Sequence, residues 1–337
     1  MHRFLLTWML SNKPHDPGGR AVLPAGRGRK VLVTGGSGFI GKPLVNALLA
    51  RRFSVLVLTR NPGRARRGIV SARAYQEAGQ LRYVQRLDDI ASDQQIDLII
   101  NLAGESLNTR WTAKRKAVLL DSRVRTTEAL AALVARLEVK PTLLISGSAV
   151  GYFGPQAEAA PLEEEAPWVD SFSHQLCAQW EDAASEIRDQ GVRVCIVRLG
   201  VVLGRRGGAL LELLRSFVFG VAAPLGSGQQ WLSWVHMDDV LSAIGRLICN
   251  GDSTGVYNLT APKPVTNEDF VQCLAARLRT WLRLPLPAPV VRALFGEMGD
   301  ELLLSGQRVV PARLQSEGFV FGFPTLDDAL TDILGRS

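Results

Sequence analysis

The chain has 337 residues, of which 47% are hydrophobic, so it can bury one large core or two modest ones. No apolar run reaches the roughly 20 residues that span a bilayer, and the four scattered cysteines include no CxxC pair, which is typical of reduced cytoplasmic thiols. The first 29 residues contribute +4 of the net charge of +7, so the rest is not basic enough to predict nucleic-acid binding. We therefore expect a cytoplasmic protein that binds neither nucleic acid nor membranes.

The segment 1–29 is rich in Pro, Gly and Arg and precedes the first predicted strand. Its apolar run Phe4–Leu10 is short, and no small-residue cleavage site follows it, which argues against a secretory signal. We expect either a disordered extension or a start codon adopted too far upstream.

Short apolar strands alternate with helices from residue 30 to residue 204. This alternation predicts an α/β fold of the Rossmann type, with a doubly wound parallel sheet covered on both faces. The predicted strands are Val31–Thr34, Ser54–Thr59, Leu81–Val84, Ile96–Asn101, Thr142–Ser146 and Val192–Leu199, and the predicted helices are Ile40–Ala50, Thr112–Leu137 and Ser173–Gln190.

After Gly204 the pattern changes, because Gly, Pro and Trp become frequent. We interpret residues 30–204 plus about 236–260 as the dinucleotide-binding domain. Residues 205–235 plus 261–337 would form a smaller C-terminal substrate lobe at the edge of the sheet where open α/β folds bind ligands.

A glycine-rich turn follows the first predicted strand in the run VLVTGGSGFIG (31–41). The glycines allow a tight turn and a close approach to phosphates, and the amides at the start of the next helix point at the negative charge. An ordinary strand-to-helix turn is the alternative. We assign dinucleotide binding to Gly35, Gly36, Ser37, Gly38, Phe39 and Ile40.

Arg60 directly follows the second predicted strand, where an acidic residue would bind the ribose 2′-hydroxyl of NAD. Nothing acidic lies between Ser54 and Arg67. This pattern favours NADP(H) over NAD(H), although arginines that merely solvate a surface loop are the alternative.

Small residues end the next two strands. Leu102, Ala103 and Gly104 would let the backbone approach the cofactor, and we add them to its binding site. Ser148, in the run SGS, would lie beside the nicotinamide and donate a hydrogen bond to a substrate carbonyl. A strand-end turn is the alternative for this serine.

These motifs resemble the extended, or atypical, short-chain dehydrogenases/reductases. The nearest likeness is the YfcH-like, epimerase-type subfamily of the NAD-dependent epimerase/dehydratases, whose members are often named nucleoside-diphosphate-sugar epimerases or SulA-like cell-division inhibitors. The matching pieces are VLVTGGSGFIG (31–41), NLAGESLNTRWTAKRK (101–116), SGSAVGYFG (146–154), LCAQWEDAA (176–184), VRLGVVLG (197–204), WLSWVHMDDV (231–240), YNLTAPKPVTN (257–267) and VVPARLQSEGFVFGFP (309–324). The last piece is similar to the short C-terminal module of that subfamily.

The chain departs from the wider superfamily at the catalytic pair. Active members of the superfamily use a tyrosine as acid/base and a lysine four residues later on the same helix. Counting back from Glu181, which resembles the glutamate after this pair, the two positions hold Ser173 and Cys177. Neither can replace the pair, because serine is too weak an acid and cysteine carries no fixed positive charge. The superfamily's helix asparagine aligns with Arg123.

Other residues can supply the missing chemistry. Tyr152 resembles the tyrosine of a YG motif that usually shapes the substrate pocket in sugar-nucleotide epimerases. His236 is a candidate general acid/base, with a structural hydrogen bond as the alternative. We name Ser148, Tyr152 and His236 as catalytic candidates. Arg110 and Trp111 are the candidates for recognising an anionic substrate, with a solvated helix face as the alternative. We expect no metal.

More than one function stays open. The first hypothesis is an NADP(H)-dependent oxidoreductase or epimerase that acts on an unknown small carbonyl or sugar-nucleotide substrate. The alternative is a non-catalytic NADP(H)-binding regulatory protein. A cell-division inhibitor ranks last, because no residue supports it. The oligomeric state is left open.

Overall fold

The computed structural model describes residues 23–156, 160–205, 207–278 and 280–335, so most of the predicted N-terminal extension lies outside the described residues. Its strands are β1 Lys30–Thr34, β2 Ser54–Leu58, β3 Leu81–Val84, β4 Leu98–Asn101, β5 Leu143–Ala149, β6 Arg193–Leu199, β7 Val201–Leu203, β8 Val221–Ala222, β9 Trp231–Leu232, β10 Trp234–His236, β11 Gly255–Leu259, β12 Val265–Thr266 and β13 Leu282–Arg283.

The α-helices are α1 Gly41–Ala50, α2 Pro62–Arg66, α3 Ala72–Glu77, α4 Ala113–Arg136, α5 Phe172–Ser185, α6 Gly208–Val218, α7 Met237–Cys249, α8 Asn267–Leu278, α9 Ala288–Phe295, α10 Glu297–Gly299, α11 Ala312–Ser316 and α12 Leu326–Leu334. Short 3₁₀ turns lie at Leu87–Asp89, Val150–Phe153 and Glu186–Gln190, and a π turn at Asp300–Leu304. None of the described helices is long and apolar enough to cross a membrane.

Seven strands form one parallel sheet in the order β11-β6-β5-β4-β1-β2-β3. Successive side chains along a strand enter opposite cores. In β1, Val31 and Val33 pack with α1 and α7, whereas Leu32 packs on the other face with α4 and the end of α5. The predicted doubly wound Rossmann sheet is confirmed.

Several predicted strand boundaries differ from the structure by one or two residues, and the end of β5 differs by three. We expected the fifth strand to end at Ser146, but β5 continues to Ala149. Gly147 and Ser148 pair with Val197 and Arg198 of β6, so the polar residues at the strand end remain in the ladder. Tertiary pairing therefore extends the strand beyond its apolar run.

The C-terminal part of the chain has its own hydrophobic cluster. Buried side chains of α6, α8 and α12 meet there around Trp234 and Phe270. However, Leu314 and Phe321 pack into the core beneath the main sheet. The predicted division into two domains stays a prediction.

The strand order reverses between β1 and β4. The chain runs from β1 outward to β3 and then returns to β4 on the other side of β1. Thr34 and Asn101, the last residues of these neighbouring strands, are paired in register. The loops that follow them therefore diverge around the crevice where open α/β sheets bind ligands.

Candidate functional site

The loop after β1 needs glycine at two positions because the backbone leaves no room for a side chain. Gly35 has a φ of +68°, and a Cβ there would lie 2.2 Å from the Leu102 carbonyl oxygen. A Cβ on Gly41 would lie 2.2 Å from the Gly35 carbonyl oxygen. The loops after β1 and β4 therefore pack backbone against backbone at the switch point.

The same loop presents amides to the crevice. The Gly38 amide donates to the Gly35 carbonyl at 2.9 Å, and the Lys42 amide donates to the Gly38 carbonyl at 3.1 Å. The amides of Phe39 and Ile40 have no acceptor within the described part of the chain. Gly38 is exposed, and the first turn of α1 carries no acidic residue. This loop can bind an anion through amides and the positive end of the helix dipole.

The other residues of the loop fix its position. A Cβ on Gly36 would lie 2.8 Å from a Val57 methyl group, so this glycine packs directly against β2. The Phe39 ring lies against the backbone of Gly204 and Gly208, which follow β7. Ser37 is half-buried between them. The loop is thus held by β2 on one side and by the residues that follow β7 on the other.

A buried polar network fixes the strand ends around the crevice. The Asn101 side chain accepts a hydrogen bond from Thr34 Oγ1 at 2.6 Å. It donates to Thr127 Oγ1 at 2.9 Å and to Ser146 Oγ at 3.3 Å. One amide therefore joins β1, β4, β5 and helix α4, and such fully satisfied networks hold a single geometry.

Arg60 projects from the end of β2 with 92% of its side chain exposed. Its guanidinium lies 3.0 Å from the Glu105 carboxylate, which is also 3.9 Å from Arg115. Exposed pairs of this kind contribute little to stability. Arg60 can therefore exchange Glu105 for another anion without a large cost in free energy.

Ser148 belongs to a buried ionic cluster at the end of β5. Its Oγ donates to Glu181 Oε1 at 2.6 Å, and Arg198 donates to both oxygens of that carboxylate at 2.8 Å. All three residues are at most 7% exposed. Because the Ser148 proton is engaged by Glu181, donation to a substrate carbonyl would require this bond to break. The predicted catalytic role of Ser148 stays a prediction.

Tyr152 lies beside the same cluster. The Arg198 guanidinium carbon is 3.3 Å from the centre of the Tyr152 ring, and the His174 ring meets its edge with 5.1 Å between centroids. The Tyr152 backbone carbonyl lies 2.6 Å from His174 Nδ1, and none of the hydrogen bonds among the described residues uses the Tyr152 hydroxyl. Its ring is therefore held in place while its hydroxyl can accept or donate a further hydrogen bond.

The positions of the superfamily's catalytic pair are buried. The Ser173 amide donates to Glu301 at 2.9 Å, and its hydroxyl lies 3.1 Å from Ser171 Oγ. Burial, together with the Glu181 carboxylate, raises the pKa of the Cys177 thiol to about 11. At neutral pH this position therefore holds an uncharged thiol, as the sequence predicted for a residue without fixed charge.

His236 belongs to a different set of contacts. It precedes helix α7, where its Nδ1 accepts from the Asp238 amide at 3.1 Å, and its Nε2 lies 3.4 Å from Asp332. The ring is 3% exposed and lies against Phe323, with 3.7 Å between centroids. These contacts join α7 to α12. They do not place His236 beside Ser148 or Tyr152, and its catalytic role stays a prediction.

Arg110 and Trp111 are neighbours in sequence but differ in burial. Arg110 is exposed and donates to the Ala293 carbonyl at 3.0 Å. Trp111 is 6% exposed, its Nε1 donates to the Leu107 carbonyl at 3.1 Å, and its ring meets Phe172. Most of the Trp111 surface is therefore used in packing. Substrate recognition by either residue stays a prediction.

Sequence reasoning missed three contacts that shape this site. Glu301 accepts from the first amides of α5, and Glu181 pairs with Arg198. Arg123 lies beneath Gly104. The two arginines of the mostly apolar run VRVCIVRL, Arg193 and Arg198, were a signal for buried partners. No local signal pointed to Glu301, which lies 128 residues from Ser173.

Family models match two parts of the chain. Residues 31–260 match the NAD dependent epimerase/dehydratase family, and residues 286–333 match a domain of unknown function, DUF1731. Among curated relatives, the chloroplastic epimerase family protein SDR39U1 homolog of Arabidopsis thaliana is 37% identical over 90% of this chain and 86% of its own length. An epimerase family protein of Staphylococcus aureus is 33% identical over 91% of this chain and 100% of its own length.

Solved structures give the same result. Human epimerase family protein SDR39U1, solved with NADPH, has a TM-score of 0.79 and 34% identity, covering 90% of this chain and 99% of that chain. A nucleoside-diphosphate sugar epimerase from Corynebacterium glutamicum has a TM-score of 0.70 and 29% identity, covering 93% of this chain and 59% of its own. The predicted resemblance is confirmed: the chain belongs to the NAD-dependent epimerase/dehydratase family of extended short-chain dehydrogenases/reductases and carries the C-terminal domain DUF1731.

Proposed function

We propose that this protein binds NADP(H) at the loop Gly35–Gly41 and uses it on a small carbonyl or sugar-nucleotide substrate. The observation that carries the proposal is the pair of Phe39 and Ile40 amides without acceptors in the described structure, at the switch point of the sheet. A pyrophosphate satisfies such amides and interacts favourably with the helix dipole. The human relative at 34% identity was solved with NADPH, which supports the same cofactor here.

The residues present fit a dinucleotide. Gly35 and Gly41 allow the loops after β1 and β4 to pack closely, and Gly38 and Gly104 present exposed backbone on the two sides of the crevice. Leu102 and Ala103 lie against Gly35, where the loop after β4 meets the loop after β1. This arrangement matches an extended ligand that crosses the carboxyl edges of β1 and β4.

The preference for NADP(H) rests on charge. Arg60 is exposed at the end of β2, where a 2′-phosphate would lie, and no carboxylate of residues 54–67 opposes it. The ion pair with Glu105 can yield to a phosphate at little cost in free energy, because the Arg60 side chain is 92% exposed. More distant neighbours solved with NAD are 18–19% identical and speak for the fold alone.

The proposed chemistry separates two tasks. When bound, the nicotinamide would accept or supply a hydride. This chain would then hold the substrate and supply a proton, and Tyr152 is the candidate whose hydroxyl is free among the described residues, while Arg198 fixes its ring. Ser148 and His236 remain the other candidates, and Arg110 and Trp111 the candidates for substrate contact. The proposed partner is a small molecule, not nucleic acid or a membrane.

One observation favours a second candidate, a non-catalytic protein that binds NADP(H) and reports its state. Ser173 and Cys177 occupy the positions at which active members of the superfamily have tyrosine and lysine. The Cys177 thiol is uncharged at neutral pH. A cofactor site without that catalytic pair can bind NADP(H) without turning it over, as a sensor would.

Titration with NADPH and NADH, followed by protein and cofactor fluorescence, tests the cofactor proposal. The same sample is then screened for loss of NADPH absorbance with pooled carbonyls and sugar nucleotides. Tight NADPH binding with turnover that falls in Tyr152→Phe supports the enzyme. Tight binding without turnover supports the sensor, and failure to bind either dinucleotide rejects both.

A further inference from the structure

Arg123 is a buried cation without a carboxylate partner. Only 8% of the residue is exposed, and its guanidinium donates to the carbonyl oxygens of Leu119 and Glu105, each at 3.1 Å. Its carbon lies 5.3 Å from the centre of the Trp180 ring. No acidic side chain of the described residues comes within 4.0 Å of it. Burial lowers the pKa of this guanidinium, which is the cost of holding a charge away from water.

Each nearby carboxylate has a closer arginine than Arg123. The Glu105 carboxylate faces Arg60 and Arg115, and Glu181 is held by both donors of Arg198. The charge of Glu105 acts on Arg123 without forming an ion pair with it, so Arg123 is surrounded by carbonyl dipoles and an aromatic face. A buried charge without an ion-pair partner is costly to hold, which suggests that it has a function.

The Arg123 guanidinium packs against the backbone of Gly104, which borders the proposed cofactor crevice. A Cβ on Gly104 would be 2.9 Å from the guanidinium carbon and 3.2 Å from Nε. Gly104 itself is exposed. The guanidinium thus packs under the floor of the loop that follows β4.

Arg123 also faces the position of Cys177. The Arg123 charge lowers the pKa of this thiol, although burial and Glu181 outweigh it. The Trp180 ring beside Arg123 would lie 3.1 Å from a Cβ on Gly147, so Arg123 packs close to the end of β5 and to Ser148, which we expect beside the nicotinamide.

We propose that Arg123 supplies the fixed positive charge at the nicotinamide end of the crevice and thereby favours reduced over oxidised cofactor. This inference rests on the proposed NADP(H) binding. An oxidised nicotinamide ring carries a positive charge and a reduced ring does not, so a nearby cation repels the oxidised form selectively. Arg123 would act through the loop at Gly104 and need not touch the substrate.

The test is the ratio of the dissociation constants for NADP⁺ and NADPH. Arg123→Met is expected to lower this ratio about tenfold, because it removes a positive charge that acts on the charged oxidised ring and not on the neutral reduced ring. Arg123→Lys should retain most of the ratio. The matched control is Arg125→Met, which removes an exposed arginine of the same helix that pairs with Asp121.

A ligand without nicotinamide separates this inference from the proposed function. Every variant should bind 2′,5′-ADP like the unmodified protein, which shows that the fold and the adenosine half are intact. An unchanged NADP⁺/NADPH ratio in Arg123→Met overturns the inference while leaving NADP(H) binding in place. If Arg123→Met loses 2′,5′-ADP, Arg123→Gln replaces it in the same comparison. Failure of the unmodified protein to bind any of the three ligands overturns both proposals.

Discussion

The loop after β1 and the start of helix α5 differ in how far they keep the residues that the family's chemistry uses. The loop after β1 keeps glycine where the backbone requires it, and two of its amides have no acceptor among the described residues. The start of α5 holds Ser173 and Cys177, both buried and uncharged, with Glu301 accepting from its first amides. The comparison teaches that a family's binding geometry can persist while the residues beside it change, because close backbone packing and catalytic charge are separate requirements.

The strongest test of the binding region is Gly38→Asp. We expect dinucleotide affinity to fall by more than about 100-fold, because a carboxylate would stand where the pyrophosphate meets the amides. Affinity is measured by NADPH titration. Gly251→Asp is the matched control, since a Cβ on Gly251 meets nothing within 4 Å and the residue is exposed. Equal affinities of the two variants would remove the proposed site.

Substitution in the buried cluster of Ser148, Glu181 and Arg198 should change stability rather than cofactor binding. Arg198→Met leaves Glu181 buried without its two charged donors, so we expect a loss of about 3–5 kcal/mol in the free energy of unfolding. Urea denaturation measures it. Arg73→Met, which breaks an exposed pair with Glu77, should cost less than about 1 kcal/mol. The double variant Arg198→Met with Glu181→Leu should recover much of the loss, and no recovery would contradict the buried-pair explanation.

The raised pKa of Cys177 predicts slow alkylation. With a pKa of about 11 against an ordinary value of 9.0, the thiolate fraction near pH 8 is about 100-fold lower than for an ordinary thiol. Iodoacetamide labelling with peptide mapping should modify the exposed Cys249 first. Cys177 should react only as the pH approaches 11, since its proton leaves there. Equal labelling near pH 8 would show that Cys177 is a reactive group.

The smallest expected effect sharpens the choice of cofactor. Arg60→Glu should weaken NADPH about tenfold more than NADH, because it replaces an attraction for the 2′-phosphate by a repulsion. Glu105→Gln should shift the same ratio about two- to threefold in the opposite direction, since it removes the carboxylate that competes for Arg60. Both ratios come from parallel titrations. Losses of equal size for the two cofactors would end the argument for NADP(H).

Much of the fold could be predicted because its signals are local. Alternating apolar runs predicted the strands of the Rossmann sheet, and the strand-glycine-helix order predicted the loop at Gly35–Gly41. Chain neighbours decide hydrophobic periodicity, turn conformation and helix starts, so one sequence is enough to identify them. The absence of the superfamily's tyrosine and lysine at Ser173 and Cys177 was likewise evident from the sequence, because the resemblance gave the two positions to compare.

Only the tertiary structure decided which distant groups meet. It brought Arg198 and Ser148 to one carboxylate, placed Glu301 at the start of α5, turned Trp111 into the core and put Arg123 beneath Gly104. These contacts join residues that lie far apart in the chain, and ionic and hydrogen-bonding partners carry no fixed spacing. The sequence by itself thus determined the fold and the binding loop, and the three-dimensional packing determined how charge is distributed around them.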